Sequence, residues 1–287
     1  NVTKKDITFS GSRVYDGTTT VSSSDLVTND TTSGETLAFS GSGTVSSANV
    51  QNNQSITLGS IAIADGSGGG LASNYNLTTG TFDISQKWVS VGGQKIYDAT
   101  TTVSSSDLEV TGEVTGESIS ITGTGSVTDK NVGSGKTIDI SGLSLSDGSH
   151  SASNYTIGTT SFAITRRNLS ISGEKVYDGT GTVLASQIDT VNTAGGETLT
   201  ISGEGSVSLP SVGTNKSITL NTLGISDGTN GTIGLASNYT LDSGSFDITT
   251  KPITLSGSRQ YDGTTNVASS DLTLIGQVSG ESISCLL

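Results

Sequence analysis

Apolar and polar residues alternate along much of the chain. Ile7 and Phe9 belong to one such stretch, and Leu37 and Phe39 belong to another. A period of two places every second side chain on the same face, which is typical of half-buried β-strands. Residues that favour turns, mainly Gly, Ser and Asn, separate the stretches. The pattern therefore predicts short strands joined by tight turns.

One stretch contains a shift in this alternation. Ile138 and Ile140 alternate with polar residues, the pattern slips by one position, and Leu143 and Leu145 alternate again. The same slip occurs at 56–63 and 218–225. A slip of one residue turns all later side chains to the opposite face unless the backbone absorbs it. We therefore predict a bulge or kink near Gly59, Gly142 and Thr222.

The whole pattern repeats every 80 to 84 residues. A Tyr-Asp motif marks each copy, and its tyrosines are Tyr15, Tyr97, Tyr177 and Tyr261. A Gly-Glu pair, a Ser-Asn-Tyr triplet and a Phe-x-Ile triplet keep the same period, and the triplet tyrosines are Tyr75, Tyr155 and Tyr239. Repeats of this length indicate tandem structural units. We predict modules at 4–85, 86–166 and 167–250, and an incomplete fourth module at 251–287.

Each module has about six or seven predicted strands. This number predicts an all-β fold, a tandem array of small antiparallel β-sandwich modules of about 80 residues with Ig-like character. A β-solenoid is the alternative, but it would show a shorter period within each module, and none is visible. We expect each module to have its own core and to contact its neighbours only at the junctions.

Composition excludes several classes of protein. The net charge is −13, which argues against binding to the phosphates of nucleic acid. No apolar run approaches the roughly 18 residues of a membrane span. The single Cys cannot form an internal disulfide. The chain contains no Met, so we expect it to be part of a longer or processed polypeptide.

The repeated motifs, Lys/Arg-x-Tyr-Asp-Gly-Thr, Gly-Glu, Ser-Asn-Tyr and Phe-x-Ile, resemble the YDG repeat and are similar to the related MBG repeat. Both repeats are known from large bacterial surface proteins, including filamentous-haemagglutinin-like adhesins. The resemblance covers the three full modules and the partial fourth, although Ala99 replaces the motif glycine in the second. It implies a secreted protein on the bacterial cell surface and supplies no catalytic residues.

The repeated tyrosines and aspartates are the main candidate site residues. We predict that the tyrosines are buried packing residues whose hydroxyls bond to the backbone. The aspartate after each motif tyrosine is predicted to cap its turn through a side-chain to backbone bond. Carboxylates in extracellular modules can also bind calcium weakly, so the alternative is a calcium ligand. The aspartates concerned are Asp16, Asp98, Asp178 and Asp262. No other cofactor is expected.

An enzyme is not expected. Asp16 and Glu35 recur in all copies, but a glycosidase pair repeated in tandem, without aromatic sugar platforms, would be unusual. His150 is the single His and lies in a Ser-Gly turn. Trp88, the single Trp, is a possible contact for a sugar or protein if exposed. Because it lies at a module junction, we expect it to pack between modules instead.

The sequence thus predicts a structural stalk or spacer that projects the binding region of an adhesin from the cell. One alternative is that the repeats themselves bind host carbohydrate or protein through weak multivalent contacts. Another is that they are accessory domains of a secreted enzyme.

Overall fold

The structure is a computed structural model that describes residues 1–284, apart from the side chain of Ser243. Strands and short 3₁₀ turns make up its regular structure, and no α-helix occurs in this range. Consequently no described helix is long and apolar enough to cross a membrane. The chain forms two compact units. The first contains residues 1–95, 101–129 and 133–163, and the second contains residues 96–100, 130–132 and 164–284.

Each of the three repeats forms eight or nine strands, somewhat more than the sequence pattern predicts. The first repeat contains β1 (Lys5–Val14), β2 (Thr20–Ser22), β3 (Leu26–Thr28), β4 (Leu37–Ser40), β5 (Ser42–Thr44), β6 (Gln51–Ser55), β7 (Ala62–Asp65) and β8 (Tyr75–Ser85). The second contains β9 (Lys87–Ile96), β10 (Thr102–Ser104), β11 (Leu108–Thr111), β12 (Ile119–Val127), β13 (Gly133–Lys136), β14 (Ile138–Asp139), β15 (Leu143–Asp147) and β16 (Tyr155–Thr165).

The remaining elements follow the same order. The third repeat contains β17 (Arg167–Val176), β18 (Thr182–Leu184), β19 (Ile188–Thr190), β20 (Glu197–Ser202), β21 (Glu204–Ser206), β22 (Gly213–Ser217), β23 (Gly224–Asp227), β24 (Thr232–Ile233) and β25 (Tyr239–Thr249), and β26 (Thr254–Gly257) and β27 (Leu272–Ile275) follow it. The 3₁₀ turns are Ser23–Asp25, Ala72–Asn74, Ser105–Asp107, Ala152–Asn154, Ala185–Gln187, Ala194–Gly196, Ala236–Asn238 and Ser269–Asp271.

A four-stranded sheet dominates each repeat. The strand orders are β3-β1-β8-β6, β11-β9-β16-β13 and β19-β17-β25-β22. In the first and third repeats, the opening and closing strands pair in parallel, and their neighbours in the sheet pair antiparallel. The prediction of purely antiparallel modules is therefore wrong for this strand pair. The alternating pattern fixes which face of a strand is buried, but it carries no information on strand direction.

Smaller sheets form the second layer of each sandwich. They pair β2 with β5 and β4 with β7 in the first repeat, and equivalent strands pair in the other two. Between the layers of the first repeat lie apolar side chains that are at most 7% exposed, including Phe9, Val21, Ile61, Phe82 and Ile84. The sheets end within each repeat, so the structure is a series of β-sandwich modules and not a β-solenoid.

The predicted slip is absorbed by a tight turn. In the second repeat, the amide of Leu143 donates to the carbonyl oxygen of Ile140 at 2.9 Å, and this turn separates β14 from β15. Both strands pair with β12, and Ile138 and Leu143 are both buried. The same turn joins Leu220 to Leu223 in the third repeat. The prediction of a kink is confirmed, because the turn returns the second half of the stretch to the core face.

A glycine in the last long strand brings the opening strand close. At Gly80, a β-carbon would lie 2.3 Å from the ring of Phe9. At the equivalent Gly244, it would lie 2.4 Å from Ile171 Cγ1. Any larger residue at these positions would push the parallel strand pair apart, so this glycine is required by the packing of the sheet.

The core is continuous through the first unit. A single cluster of buried side chains includes Phe9 and Phe82 from the first repeat together with Val89, Ile119 and Tyr155 from the second. The expectation of a separate core for each module is therefore wrong here, because the tyrosines at the junction join the two cores. In the fourth repeat, β26 pairs with β27, and Leu255 and Ile275 remain about half exposed. Cys285 lies outside the described residues.

Candidate functional site

Two tyrosines and one glutamate meet where the first repeat contacts the second. The hydroxyl of Tyr15 donates to Oε1 of Glu117 at 2.8 Å, and the hydroxyl of Tyr155 donates to Oε2 of the same carboxylate. The two rings pack edge to face with centroids 5.4 Å apart. We call this group the first joint. The Tyr-Asp motif of one repeat thus shares a carboxylate with the Ser-Asn-Tyr motif of the next.

The same arrangement recurs inside the second unit. Tyr97 donates to Oε1 of Glu197 at 2.7 Å, and Tyr239 donates to Oε2 at 2.8 Å. Their rings are again edge to face, with centroids 5.5 Å apart. We call this group the second joint. Further along the chain, Tyr177 donates to Glu281, so the pairing of a motif tyrosine with the glutamate one repeat later occurs three times.

The sheets position these side chains. Tyr15 directly follows β1, and its amide donates to the carbonyl of Ser85 on the parallel strand β8 at 2.9 Å. Tyr155 is the first residue of β16 and follows a 3₁₀ turn. Its hydroxyl also accepts a bond from the amide of Val114 at 3.2 Å, and the amide of Glu117 donates to Val114 at 2.9 Å. Backbone bonds therefore fix both the donors and the acceptor.

An asparagine forms a second contact at each joint. The amide oxygen of Asn154 accepts from the backbone of Val50 at 2.9 Å, and its nitrogen donates to Asn49 at 2.9 Å. Asn238 makes the same two bonds to Val132 and Asn131, both at 2.9 Å. Asn154 and Asn238 are each only 1% exposed. We call this contact the Asn-Val clasp.

The two joints differ in the charge that faces the glutamate. At the second joint, Lys130 donates to Glu197 at 2.8 Å. At the first joint, the position that corresponds to Lys130 is Ala48, and His150 lies 3.9 Å from Glu117. Burial acts to raise the pKa of Glu197, but the bonds from Lys130 and the two tyrosines outweigh it and hold the pKa below its usual range.

The shared carboxylate makes the tyrosines weaker acids. Burial, together with the bond to Glu117, raises the pKa of Tyr15 from 10.0 to about 12 and that of Tyr155 to about 12. Burial, opposed by a bond from the Ala194 amide and reinforced by Glu197, raises the pKa of Tyr239 to about 12 as well. A phenolate at any of these positions would face a carboxylate across the hydrogen bond, which is a like-charge contact.

We expect the stability of the first unit to fall as the pH rises from about 10 to about 12. The folded state holds the two phenolic protons more tightly than the unfolded chain, so this contribution is complete below pH 10 and is lost above the folded pKa. Urea unfolding of the chain at a series of alkaline pH values measures the slope of both units together, and the difference from a variant of the first joint gives the share of the first unit. The double variant Tyr15→Phe/Tyr155→Phe, which lacks both protons, should show a flatter profile. An equal slope in the variant would contradict this assignment.

The tyrosines are buried as predicted, with two exceptions. Tyr15, Tyr97, Tyr75, Tyr155 and Tyr239 are at most 3% exposed. Tyr177 is half-buried, and Tyr261 is 93% exposed.

The prediction of hydroxyls bonded to backbone describes only part of the arrangement. Triplet tyrosines such as Tyr75 do accept a bond from a backbone amide, that of Thr32 in this case. The principal partner of the hydroxyls is, however, a glutamate, because a charged acceptor gives a stronger bond than a neutral one.

The aspartate after each motif tyrosine caps its turn, as predicted. Oδ1 of Asp16 accepts from the amide and the hydroxyl of Thr18 at 2.9 and 3.0 Å. Asp98, Asp178 and Asp262 make the same pair of bonds to the threonine two residues later. A basic side chain lies beside it: Arg13 is 3.0 Å from Asp16, and Lys175 is 3.0 Å from Asp178. The Arg259 guanidinium holds the pKa of Asp262 below its usual range.

The surroundings of these aspartates do not favour calcium, whose binding here stays a prediction. Each has an oxygen committed to the turn, and at three of them an Arg or Lys occupies the adjacent position where a cation would have to bind. Calcium sites need six or more oxygen ligands. Within residues 1–284, no group of three His, Cys, Asp or Glu side chains is arranged to hold a metal ion.

Trp88 does not pack between modules as expected. It lies on β9, and its side chain is 76% exposed. Gly158 lies beneath it, since a β-carbon there would be 3.1 Å from Trp88 Cβ. The expectation is wrong because the strand turns this position to the outer face of the sheet. Trp88 remains a possible contact residue.

Sequence reasoning missed two contributors to the contacts between repeats and one contributor to the motif turn. They are the glutamate of the Gly-Glu pair, the asparagine of the Ser-Asn-Tyr triplet, and the basic residue two positions before each motif tyrosine. The base clamps its turn, as Lys175 does by donating to the carbonyl of Thr182 at 2.7 Å. Their recurrence in each copy was a usable signal, since a polar residue kept at one position of every repeat needs a repeated partner.

Comparison with known proteins agrees with this repeated geometry. The family model of the YDG domain matches residues 1–82, 86–162 and 165–246. A comparison with curated proteins finds no match. The three matched segments are the same three repeats that supply the tyrosines and glutamates of the joints. The chain therefore belongs to the YDG domain family and carries three YDG domains in tandem.

Proposed function

We propose that this chain is a non-catalytic spacer of a secreted bacterial surface adhesin and projects a binding region from the cell. The joint is the observation that supports this role most strongly. A motif tyrosine and the glutamate of the following repeat meet in the same way at Tyr15–Glu117, Tyr97–Glu197 and Tyr177–Glu281. Successive repeats that use the same residues for their contacts give an array whose length grows with the number of copies.

The chemistry of the repeats also supports a structural role. The two acids that recur in every copy both have structural partners: the motif aspartate holds its turn, and the glutamate accepts from tyrosines. Glycoside hydrolysis requires two carboxylates that face each other across a cleft. Here the motif aspartate and the glutamate are each bound to their own structural partners. A net charge of −13 keeps a long exposed polymer soluble and prevents self-association.

The spacer proposal is tested by changing the number of repeats. The chain is tethered to glass by its C-terminal end, and the height of a fluorescent label at Asn1 is measured by interferometry. A second chain carries an added copy of residues 86–166 inserted in register after position 166. We expect the height to increase by a constant step for each added copy. Equal heights for the original and lengthened chains would contradict the proposal.

Weak multivalent binding is the second candidate, and one observation favours it. The residue before the motif tyrosine is an exposed aliphatic in three copies: Val14 is 54% exposed, Ile96 is 62% and Val176 is 51%. An apolar residue repeated on the surface can bind a repeated ligand with avidity. Glycan arrays and immobilised matrix proteins test this against the triple variant Val14→Thr/Ile96→Thr/Val176→Thr. Micromolar binding that is lost in this variant would favour the second candidate over the spacer.

A further inference from the structure

The first repeat carries the acceptor half of a joint. Glu35, Asn74 and Tyr75 occupy the positions that Glu117, Asn154 and Tyr155 occupy in the second repeat. The internal geometry is also the same, because the hydroxyl of Tyr75 donates to Glu35 and accepts from the amide of Thr32 at 3.1 Å. We call Glu35, Asn74 and Tyr75 the acceptor face.

In the second repeat, the equivalent residues are covered. The side chain of Glu117 is 7% exposed and Asn154 is 1% exposed, because Tyr15 and the Asn49–Val50 loop of the preceding repeat bind them. In the second unit, Asn238 is covered in the same way by the Asn131–Val132 loop. Two of the three acceptor sites therefore show what kind of group they bind.

The acceptor face of the first repeat is open at Asn74 and half-open at Glu35, while Tyr75 is buried. Asn74 is exposed, whereas its two counterparts are buried. Among residues 1–284, Tyr75 is the one side chain that donates to the carboxylate of Glu35. A cavity of about 400 Å³ lies at this face, and Lys4, Lys5, Thr32 and the acceptor residues line it. Tyr75 and Glu35 are already bonded to each other at this site, whereas Glu117 also accepts from a tyrosine of another repeat.

The charges around the cavity suit the missing partner. Lys4 and Lys5 can compensate the charge of Glu35 once it is covered, as Lys130 does for Glu197. They also face an incoming turn with an aspartate next to its tyrosine, since every motif tyrosine of this chain is followed by Asp. Opposite charges on the two surfaces favour the encounter and fix its orientation.

We propose that the acceptor face binds a further YDG domain. The incoming domain donates the hydroxyl of its motif tyrosine to Glu35 and presents an Asn-Val loop to Asn74. This contact between domains would form whether the array acts as a spacer or binds a host ligand. It does not depend on the proposed function.

The test uses the whole chain and an extended chain, in which a copy of residues 1–85 is joined in register to Lys4. In the extended chain, we expect Glu35→Gln to reduce the folded-to-unfolded ratio of the first unit by about 5- to 30-fold. In the original chain, the same change should have little effect, because the amide oxygen still accepts from Tyr75. Glu117→Gln is the matched control: its loss should exceed that of Glu35→Gln in the original chain and be similar to it in the extended chain. Hydrogen exchange of the first unit measures each ratio.

A double-mutant cycle separates direct contact from general destabilisation. The second change is Tyr→Phe at the motif tyrosine of the added copy, which keeps the ring and removes the hydroxyl. The proposal predicts that the two changes are coupled, and additive effects would overturn it. Sedimentation of the original chain provides a further check. A concentration-dependent dimer that is lost in both Glu35→Gln and Tyr261→Phe would support the proposal, with the fourth repeat of a second copy as the bound domain.

Discussion

Glu197→Ala is expected to lower the free energy of unfolding of the second unit by about 3–5 kcal/mol. The side chain of Glu197 is 1% exposed and accepts from Tyr97, Tyr239 and Lys130. Its removal leaves two buried phenols without their carboxylate acceptor and a void beside their hydroxyls. Lys130 contributes less to the loss, because its side chain is 39% exposed and can turn to water.

Because the chain forms two units, a single unfolding curve would mix their transitions. Hydrogen exchange of peptides from β17 and β25 isolates the second unit. Glu35→Ala is the matched control: it removes the same motif residue where one tyrosine is bound and the carboxylate is half-exposed, and it should cost about 1–2 kcal/mol. An equally small loss of unfolding free energy in both variants would contradict the view that sharing the carboxylate between two tyrosines stabilises the joint.

The second large effect is expected for Phe246→Ala, at about 3–5 kcal/mol. Phe246 is fully buried in the cluster that also contains Ile171, Val183 and Ile248. It lies on β25, between the parallel partner β17 and the antiparallel partner β22. Its loss leaves a cavity at the centre of the sandwich, and the tightly paired strands on both sides cannot close over it.

Phe246→Leu distinguishes a cavity from a general sensitivity of the strand. It keeps most of the apolar volume, so we expect a loss below about 1.5 kcal/mol. Phe82→Ala at the equivalent position should destabilise the first unit, since Phe82 is also fully buried. Hydrogen exchange measured separately in each unit reports both results. Equal losses for the Ala and Leu variants of Phe246 would contradict the cavity explanation.

The strands and the core were predictable because their signal is local. Alternation placed Ile7 and Phe9 on one face, and the slip after Ile140 marked the turn that returns Leu143 to the core. Recurrence also identified the tyrosines as structural. These properties depend on residues a few positions apart, so a single sequence contains enough information to infer them.

The partners of the tyrosines were not predictable in the same way. Tyr15 and Glu117 are 102 residues apart, and the repeat marks each position without showing that the two side chains meet. The direction of the β1–β8 pair likewise depends on how the whole repeat folds back on itself. The prediction that Trp88 packs between modules was wrong for a related reason. Its position along the chain lies near a junction, but its side chain faces outward.

The joints also constrain how such arrays can change in length. The donor tyrosine comes from one repeat and the acceptor glutamate from the next, and both stand at the same position in every copy. Unequal recombination that adds or removes a whole repeat therefore rejoins a tyrosine with a glutamate at each junction. A deletion of any other length brings together unmatched halves and leaves a buried acid or phenol without its partner. The tyrosine–glutamate group therefore tolerates changes in copy number by whole repeats and disfavours deletions of other lengths.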